Sequence, residues 1–206
     1  MTTSRTDKLL SLYELAATQA GHFTVAQARA LGYSARALAH HADRRHFERV
    51  SRGFYRLAGV PAGPYDDVVA AWVRLAGRQA VVSHETALVL YELAPSRDRE
   101  IHLTVARDHR PRSAQAAAGA RIHTTQVPLR ADEIATRFGV RLTSPARTIA
   151  DVAEAGGDPS VVIAAAARAM ATGLASAPEL EAAARHRSVR VRELLRRAIG
   201  EASARE

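Results

Sequence analysis

The run Thr24–Leu57, TVAQARALGYSARALAHHADRRHFERVSRGFYRL, constrains the fold more than any other stretch of the chain. Thr24 and Gln27 have capping-box spacing: the hydroxyl can satisfy a free N–H of a first helical turn while the amide side chain reaches back to the cap. Gly32 stands where that helix would end, because a left-handed residue after the last turn favours a side chain with no Cβ. Ser34, two residues later, is placed to cap a second helix. Phe47–Val50 and Phe54–Leu57 read as strands on either side of a Ser51-Arg52-Gly53 tip. Helix, tight turn, helix and basic hairpin in this order predict a winged helix-turn-helix, an arrangement that lays its second helix in the major groove of duplex DNA.

In that second helix Ala35, Leu38 and Ala42 share one stripe, so Arg36, His40 and Arg44 point the other way, with His41 beside them. The candidate DNA contacts follow from position. Ser34 and the N–H groups at the helix start would meet a phosphate. Arg36 would read a guanine edge, with His40 and Arg44 on the same face and His41 beside them. Arg45, Arg49 and Arg52 would grip the backbone from the wing. Tyr55 and Leu57 alternate with Arg56 and are expected to pack inward. Ahead of the run, Leu9, Leu12, Tyr13 and Ala16 recur at helical spacing from a start at Thr6 or Asp7, with Gly21 closing that helix. Val25, Ala28 and Leu31 of the following helix would face it.

The charge balance agrees with a polyanionic partner. The chain of 206 residues carries a formal net charge of +8, and basic side chains gain by releasing counterions from nucleic acid. Residues 1–60 hold +5 of this, residues 61–149 hold +3, and residues 150–206 are neutral. Lys8 is the only lysine, so an arginine at a given site reflects composition as much as guanidinium chemistry. There is no cysteine, which excludes disulfides, thiolate metal sites and a thiol nucleophile. The start MTTSRTDK lacks an apolar signal core and no long apolar run follows, so a cytoplasmic location and no membrane association are expected.

From Ala58 the Gly/Pro-rich connector AGVPAGP marks the expected boundary between a DNA-binding domain, 1–60, and a second domain, 61–206. The second begins with a helix from Tyr65 to Ala76, closed by Gly77, with Val68, Trp72 and Leu75 inward. A short strand at Ala80–Val82, a helix capped by Ser83, and strands at Ile101–Val105, Arg121–Val127 and Gly139–Thr143 follow. The loop Arg107–Arg112 is basic and expected to be exposed. Ser144-Pro145 and Asp158-Pro159 each pair a cap with a proline at the first helical position. Arg147 and Asp151 form an i, i+4 pair, worth a few tenths of a kcal/mol (~0.3) on an exposed helix. The tail reads as three helices, Pro159–Ala171, Pro178–His186 and Val189–Ile199. The expected class is α+β: a winged helix-turn-helix, then a small mixed sheet packed with helices, then a helical tail.

Catalytic signatures are missing. The sequence has no GxSxG elbow, P-loop or GxGxxG. His84-Glu85 opens no HExxH because position 88 is Leu, and adjacent histidines such as His40-His41 point to different faces of a helix. No metal site, cofactor or enzymatic activity is therefore expected. His123 and Asp151 form no compelling acid–base pair, and a nuclease of the restriction type would want clustered carboxylates and usually a lysine, whereas the only lysine is Lys8 in the first helix.

The ordered segments GHFTVAQARALGYS, RRHFERVSRGFYRLAG, VVSHETALVLYEL, IHLTV and LTSPARTIADVAE resemble the AbiEi-type antitoxins of type IV toxin–antitoxin systems, which are related to phage abortive infection. The likeness runs over residues 9–155 and is looser in the tail. It implies an N-terminal winged helix that binds inverted repeats of its own operator and represses that operon. It also implies a C-terminal domain that counters a nucleotidyltransferase toxin, with or without a stable complex. No toxin-contact residue can be mapped. A stand-alone winged-helix regulator with a ligand-sensing second domain is the alternative.

Overall fold

The computed structural model describes residues 5–75, 79–95, 100–111 and 119–204. Helix α1 (Arg5–Ala17) ends in a turn through Ala20 and Gly21, both at positive φ, where the Gly21 N–H reaches the Ala16 carbonyl at 2.8 Å. Strand β1 (His22–Thr24) then leads directly into α2 (Val25–Ala30), followed by α3 (Ala35–Asp43) and the hairpin β2 (Phe47–Ser51) and β3 (Phe54–Leu57). The three strands form an antiparallel sheet in the order β1-β3-β2, pairing Phe23 with Tyr55 and Phe47 with Leu57. Strand β1 was not legible in the sequence, because three residues before a cap are too few to show alternation.

The inward positions of these elements close one core. Leu12 and Ala16 of α1, Ala28 of α2 and Leu38 of α3 meet Phe23, Phe47, Tyr55 and Leu57 of the sheet. Phe23 packs edge-on against Phe47 with centroids 5.1 Å apart, a geometry worth about 0.5–1.5 kcal/mol beyond the area buried.

Helix α4 (Asp66–Arg74) follows the Gly/Pro connector but belongs with this first compact unit, which runs to Gln79. Two contacts explain why. Asp66 pairs with Arg56 at 3.5 Å, and the Arg74 guanidinium lies over the Phe54 ring at 4.7 Å. The composition break near residue 60 is thus a connector inside the first unit, whose limit falls about one helix later than the sequence placed it. The expected end of this helix at Ala76-Gly77 lies outside the described residues, as does Arg112 of the basic loop.

The second unit, from Ala80 on apart from short segments, is built on a mixed five-stranded sheet of order β6-β5-β4-β8-β7. Its strands are β4 (Val81–Val82), β5 (Ile101–Ala106), β6 (Ala120–Thr125), β7 (Ile134–Arg137) and β8 (Val140–Thr143). β4 pairs antiparallel with β5 and parallel with β8, and β5 pairs parallel with the edge strand β6. β7 was unread, and it joins β8 through Phe138-Gly139, both at positive φ, as a two-residue primed turn requires. Helices α5 (His84–Leu90), α6 (Pro145–Glu154), α7 (Pro159–Ala171), α8 (Ala177–Ala184) and α9 (Val189–Ser203) complete the unit, with α7 packed on α9. Among the described residues no helix is long and apolar enough to cross a membrane.

The expected proline-first helix starts are present, but the caps differ. Asp158 accepts the Ser160 N–H at 2.8 Å, whereas neither Ser83 nor Ser144 makes a side-chain cap bond. The Arg147–Asp151 pair is also more than an exposed helix pair. Arg147 Nε lies 3.0 Å from both Asp151 oxygens and its Nη1 is 2.8 Å from Glu133, while Arg187 also bonds Asp151. The Asp151 side chain is only 6% exposed. A few tenths of a kcal/mol is the wrong scale for it, since low exposure weakens screening and strands any partner left alone.

Candidate nucleic-acid interface

Each turn of the α2–α3 segment is closed by the residue that the backbone needs. The Thr24 hydroxyl accepts the Gln27 N–H at 3.2 Å and the Gln27 carbonyl oxygen accepts the Thr24 N–H at 2.8 Å, completing the capping box. The Gln27 amide also donates to Gln19 at 2.8 Å, which ties the start of α2 to the end of α1. At the other end Tyr33 N–H reaches the Ala28 carbonyl at 3.0 Å and Gly32 N–H the Arg29 carbonyl at 2.9 Å. These are the two bonds of a Schellman motif, with Gly32 at φ +85° as its left-handed residue. Ser34 then caps α3 by accepting the Ala37 N–H at 3.1 Å. Its hydroxyl proton is left over to donate outward.

Helix α3 turns Leu38 into the core at 1% exposure and leaves Arg36, His40 and Arg44 exposed on its outer side. Arg45, at φ +57°, ends the helix, and the chain enters the wing. A register shift between Arg49 and Ser51 bulges β2 just before the tip, and Arg49 and Arg52 are both exposed. The tip is not free-standing: the Gly53 carbonyl accepts the Val25 N–H at 3.0 Å. Among the described residues Arg36, Arg44, Arg45, Arg49 and Arg52 form no ion pair, in contrast to Arg56, Arg147 and Arg187. Five solvated guanidinium groups against the nearby Asp43 and Glu48 leave this surface cationic.

Seven of the eight residues picked from the sequence are exposed on this side: Ser34, Arg36, His40, Arg44, Arg45, Arg49 and Arg52. His41 differs. Its ring stacks on Phe47 at 4.9 Å and its Nδ1 lies 3.2 Å from that of His46, so it joins α3 to the wing. Lys8 escaped the sequence reading. Helix α1 brings it to the start of α3, its ammonium 3.1 Å from where a Cβ on Gly32 would sit, in a cleft shared with Ser34 and His40. A cation, a hydroxyl and the free N–H groups of a helix start are the chemistry that holds a phosphate. Only tertiary structure could find it, since Lys8 and Ser34 are a helix apart in the chain. No three metal-ligating side chains converge in this unit among the described residues.

Helices α1 to α3 and a three-stranded sheet whose β2–β3 hairpin is basic give the first unit a winged helix-turn-helix. Residues 11–58, which span most of it, match the family model described as "Transcriptional regulator, AbiEi antitoxin". The family likeness read from the sequence therefore holds over this N-terminal region. No curated protein matches the chain. Among solved structures, the RV2827C protein from Mycobacterium tuberculosis has a similar fold, with a TM-score of 0.62 at 13% identity over 93% of this chain and 75% of that one. At that identity the likeness speaks for the fold alone.

Proposed function

We propose that this protein is an antitoxin that represses its own operon, binding inverted repeats through α3 and the wing. The second unit would counter a nucleotidyltransferase toxin encoded beside it. The observation that carries the DNA half is the set of unpaired arginines on a capped helix-turn-helix and its wing, in the region that matches an antitoxin regulator family. In this reading Arg36, His40 and Arg44 face the groove, while Ser34, Lys8, Arg45, Arg49 and Arg52 hold phosphates. His41 keeps the helix and the wing in register. The protein acts by occupancy, without catalysis or a cofactor of its own in repression, and works in the cytoplasm.

The test has two arms. Fluorescence anisotropy on the DNA upstream of the chain's own gene should give specific binding that Arg36→Ala/Arg52→Ala weakens at least tenfold. Co-expression with the product of the adjacent gene should relieve growth arrest with both the wild type and that double variant. An unaltered affinity sinks the assigned DNA face. A neighbouring product that is harmless alone sinks the antitoxin role and leaves a stand-alone regulator with a ligand-sensing second unit.

A further inference from the structure

Three histidines from three separate elements meet in the second unit. His84 opens α5, His102 lies on β5 and His123 on β6, and one nitrogen from each falls within 4.8 Å of the others. Strand pairing explains the meeting. In the parallel β5–β6 pair Thr104 is opposite His123, so His102, Thr104 and His123 share one face of the sheet. Ser83 N–H bonds the His102 carbonyl at 3.0 Å, which brings the start of α5 over that same face.

We propose that His84, His102 and His123, with Glu85 as fourth ligand, form a binding site for a divalent transition metal of the zinc class. His123 Nε2 and His102 Nδ1 lie 3.3 Å apart. That is the edge of a tetrahedron whose metal–nitrogen bonds are about 2.0–2.1 Å long. The rings of His84 and His123 are stacked with centroids 3.5 Å apart, so an ion held by both would tilt one ring out of the stack. Glu85 Oε2 lies 2.7 Å from His102 Nδ1, a hydrogen-bond distance, so metal binding would displace the proton between them and leave the carboxylate oxygen and the imidazole nitrogens to the cation.

The surroundings are those of a supported ligand set. Ser83 Oγ lies 2.9 Å from His84 Nδ1 and accepts the Thr104 hydroxyl at 2.8 Å. A proton held on Nδ1 leaves the Nε2 lone pair of His84 for a metal, the usual role of such outer hydrogen bonds. This also accounts for the missing cap, because Ser83 is engaged with the imidazole. His84 sits at φ +52°, a left-handed backbone that a residue with a Cβ adopts at a cost and that concentrates at functional positions. Three imidazoles and one carboxylate without thiolate suit zinc or its borderline neighbours rather than magnesium or calcium. The ion would clip the edge strand β6, which among the described residues has only β5 as a strand neighbour, to β5 and α5.

The experiment uses the full chain, untagged, stripped with chelator and dialysed against Zn²⁺, with bound metal counted by mass spectrometry. One equivalent per chain is expected, with a higher Tm than the stripped protein. His123→Gln and Glu85→Gln should lose the metal or weaken it at least tenfold and abolish the Tm shift, while His40→Gln/His46→Gln should keep both. Absence of bound metal in the wild type, or equal retention in the His123 and Glu85 variants, overturns the site. Should His123→Gln fail to fold, the wild type loaded with Co²⁺ decides: intense four-coordinate visible bands support the site, and the weak six-coordinate spectrum refutes it.

Discussion

Replacing Asp151 by Ala should cost the second unit far more than its place one helical turn from Arg147 implies. The carboxylate holds both Arg147 and Arg187, whose side chains are 15% and 19% exposed, and is itself 6% exposed. Breaking a buried pair by removing one partner costs about 3–5 kcal/mol, chiefly because the other charge is stranded. Arg147 keeps Glu133 at 2.8 Å, which places the expected loss near the lower end, about 3 kcal/mol. At about 3 °C per kcal/mol for a chain of this size, Tm falls by roughly 9 °C. Glu201→Ala is the matched control, because it removes another i, i+4 pair whose arginine is 69% exposed. Such exposed pairs are worth about 0.3–0.5 kcal/mol, so Tm moves by about 1 °C. Thermal melts followed by far-UV circular dichroism measure both, and 1 M salt should erase the small effect while leaving most of the large one. Equal losses in the two variants would show that the low exposure of Asp151 carries no energetic weight, and the reasoning would fall.

Three further outcomes follow from the first unit. Gly32→Ala places a Cβ on a residue at φ +85° and 3.1 Å from the Lys8 ammonium, so urea titration should show a loss of about 1 kcal/mol or more. His22 is buried, and burial lowers its pKa from 6.5 despite the opposing pull of Asp66. The unfolded chain therefore binds the proton first as pH falls: stability is full above about pH 6.5 and declines below it until the folded value is passed. Fluorescence of Trp72, the single tryptophan, should report this decline in denaturation midpoints, and His22→Gln should flatten it. Operator affinity should fall with salt at a log–log slope of about −0.9 per phosphate neutralised, and Arg36→Ala/Arg52→Ala should reduce that slope by about one, through Arg52. An unchanged slope with reduced affinity would place Arg52 away from phosphates.

How much the sequence disclosed depended on how local the signal was. The capping box at Thr24, the Schellman glycine and the serine before α3 are decided within a few residues, and all three are where the sequence placed them. The strands β1 and β7 are short and draw their definition from partners elsewhere, so their own residues say little. His84, His102 and His123 lie on separate elements of a mixed sheet, with no spacing that marks a ligand set. Sequence logic searched for local motifs and expected no metal, whereas parallel pairing of β5 with β6 brings the imidazoles within reach of one another, as the proposed site requires. Lys8 was hidden in the same way. The hydroxyl of Ser83 was read as a cap because propensity favours it there, yet the nearby imidazole and Thr104 compete for the same oxygen.

The bond from Val25 N–H to the Gly53 carbonyl joins the first residue of α2 to the tip of the wing. With His41 stacked on Phe47 at the wing's root, the hairpin is held to the helix-turn-helix at two points, one on α2 and one on α3, like the jaws of a caliper locked at one setting. In the proposed complex a duplex fitted between them would not be accommodated by opening the jaws. Mismatch in groove width would then fall on the nucleic acid, so sequences that are easily bent or narrowed would gain over stiff ones even where no side chain touches a base. Loosening the setting, by substituting Gly53 or His41, should therefore blur the choice among DNA sites before it weakens attachment to DNA in general.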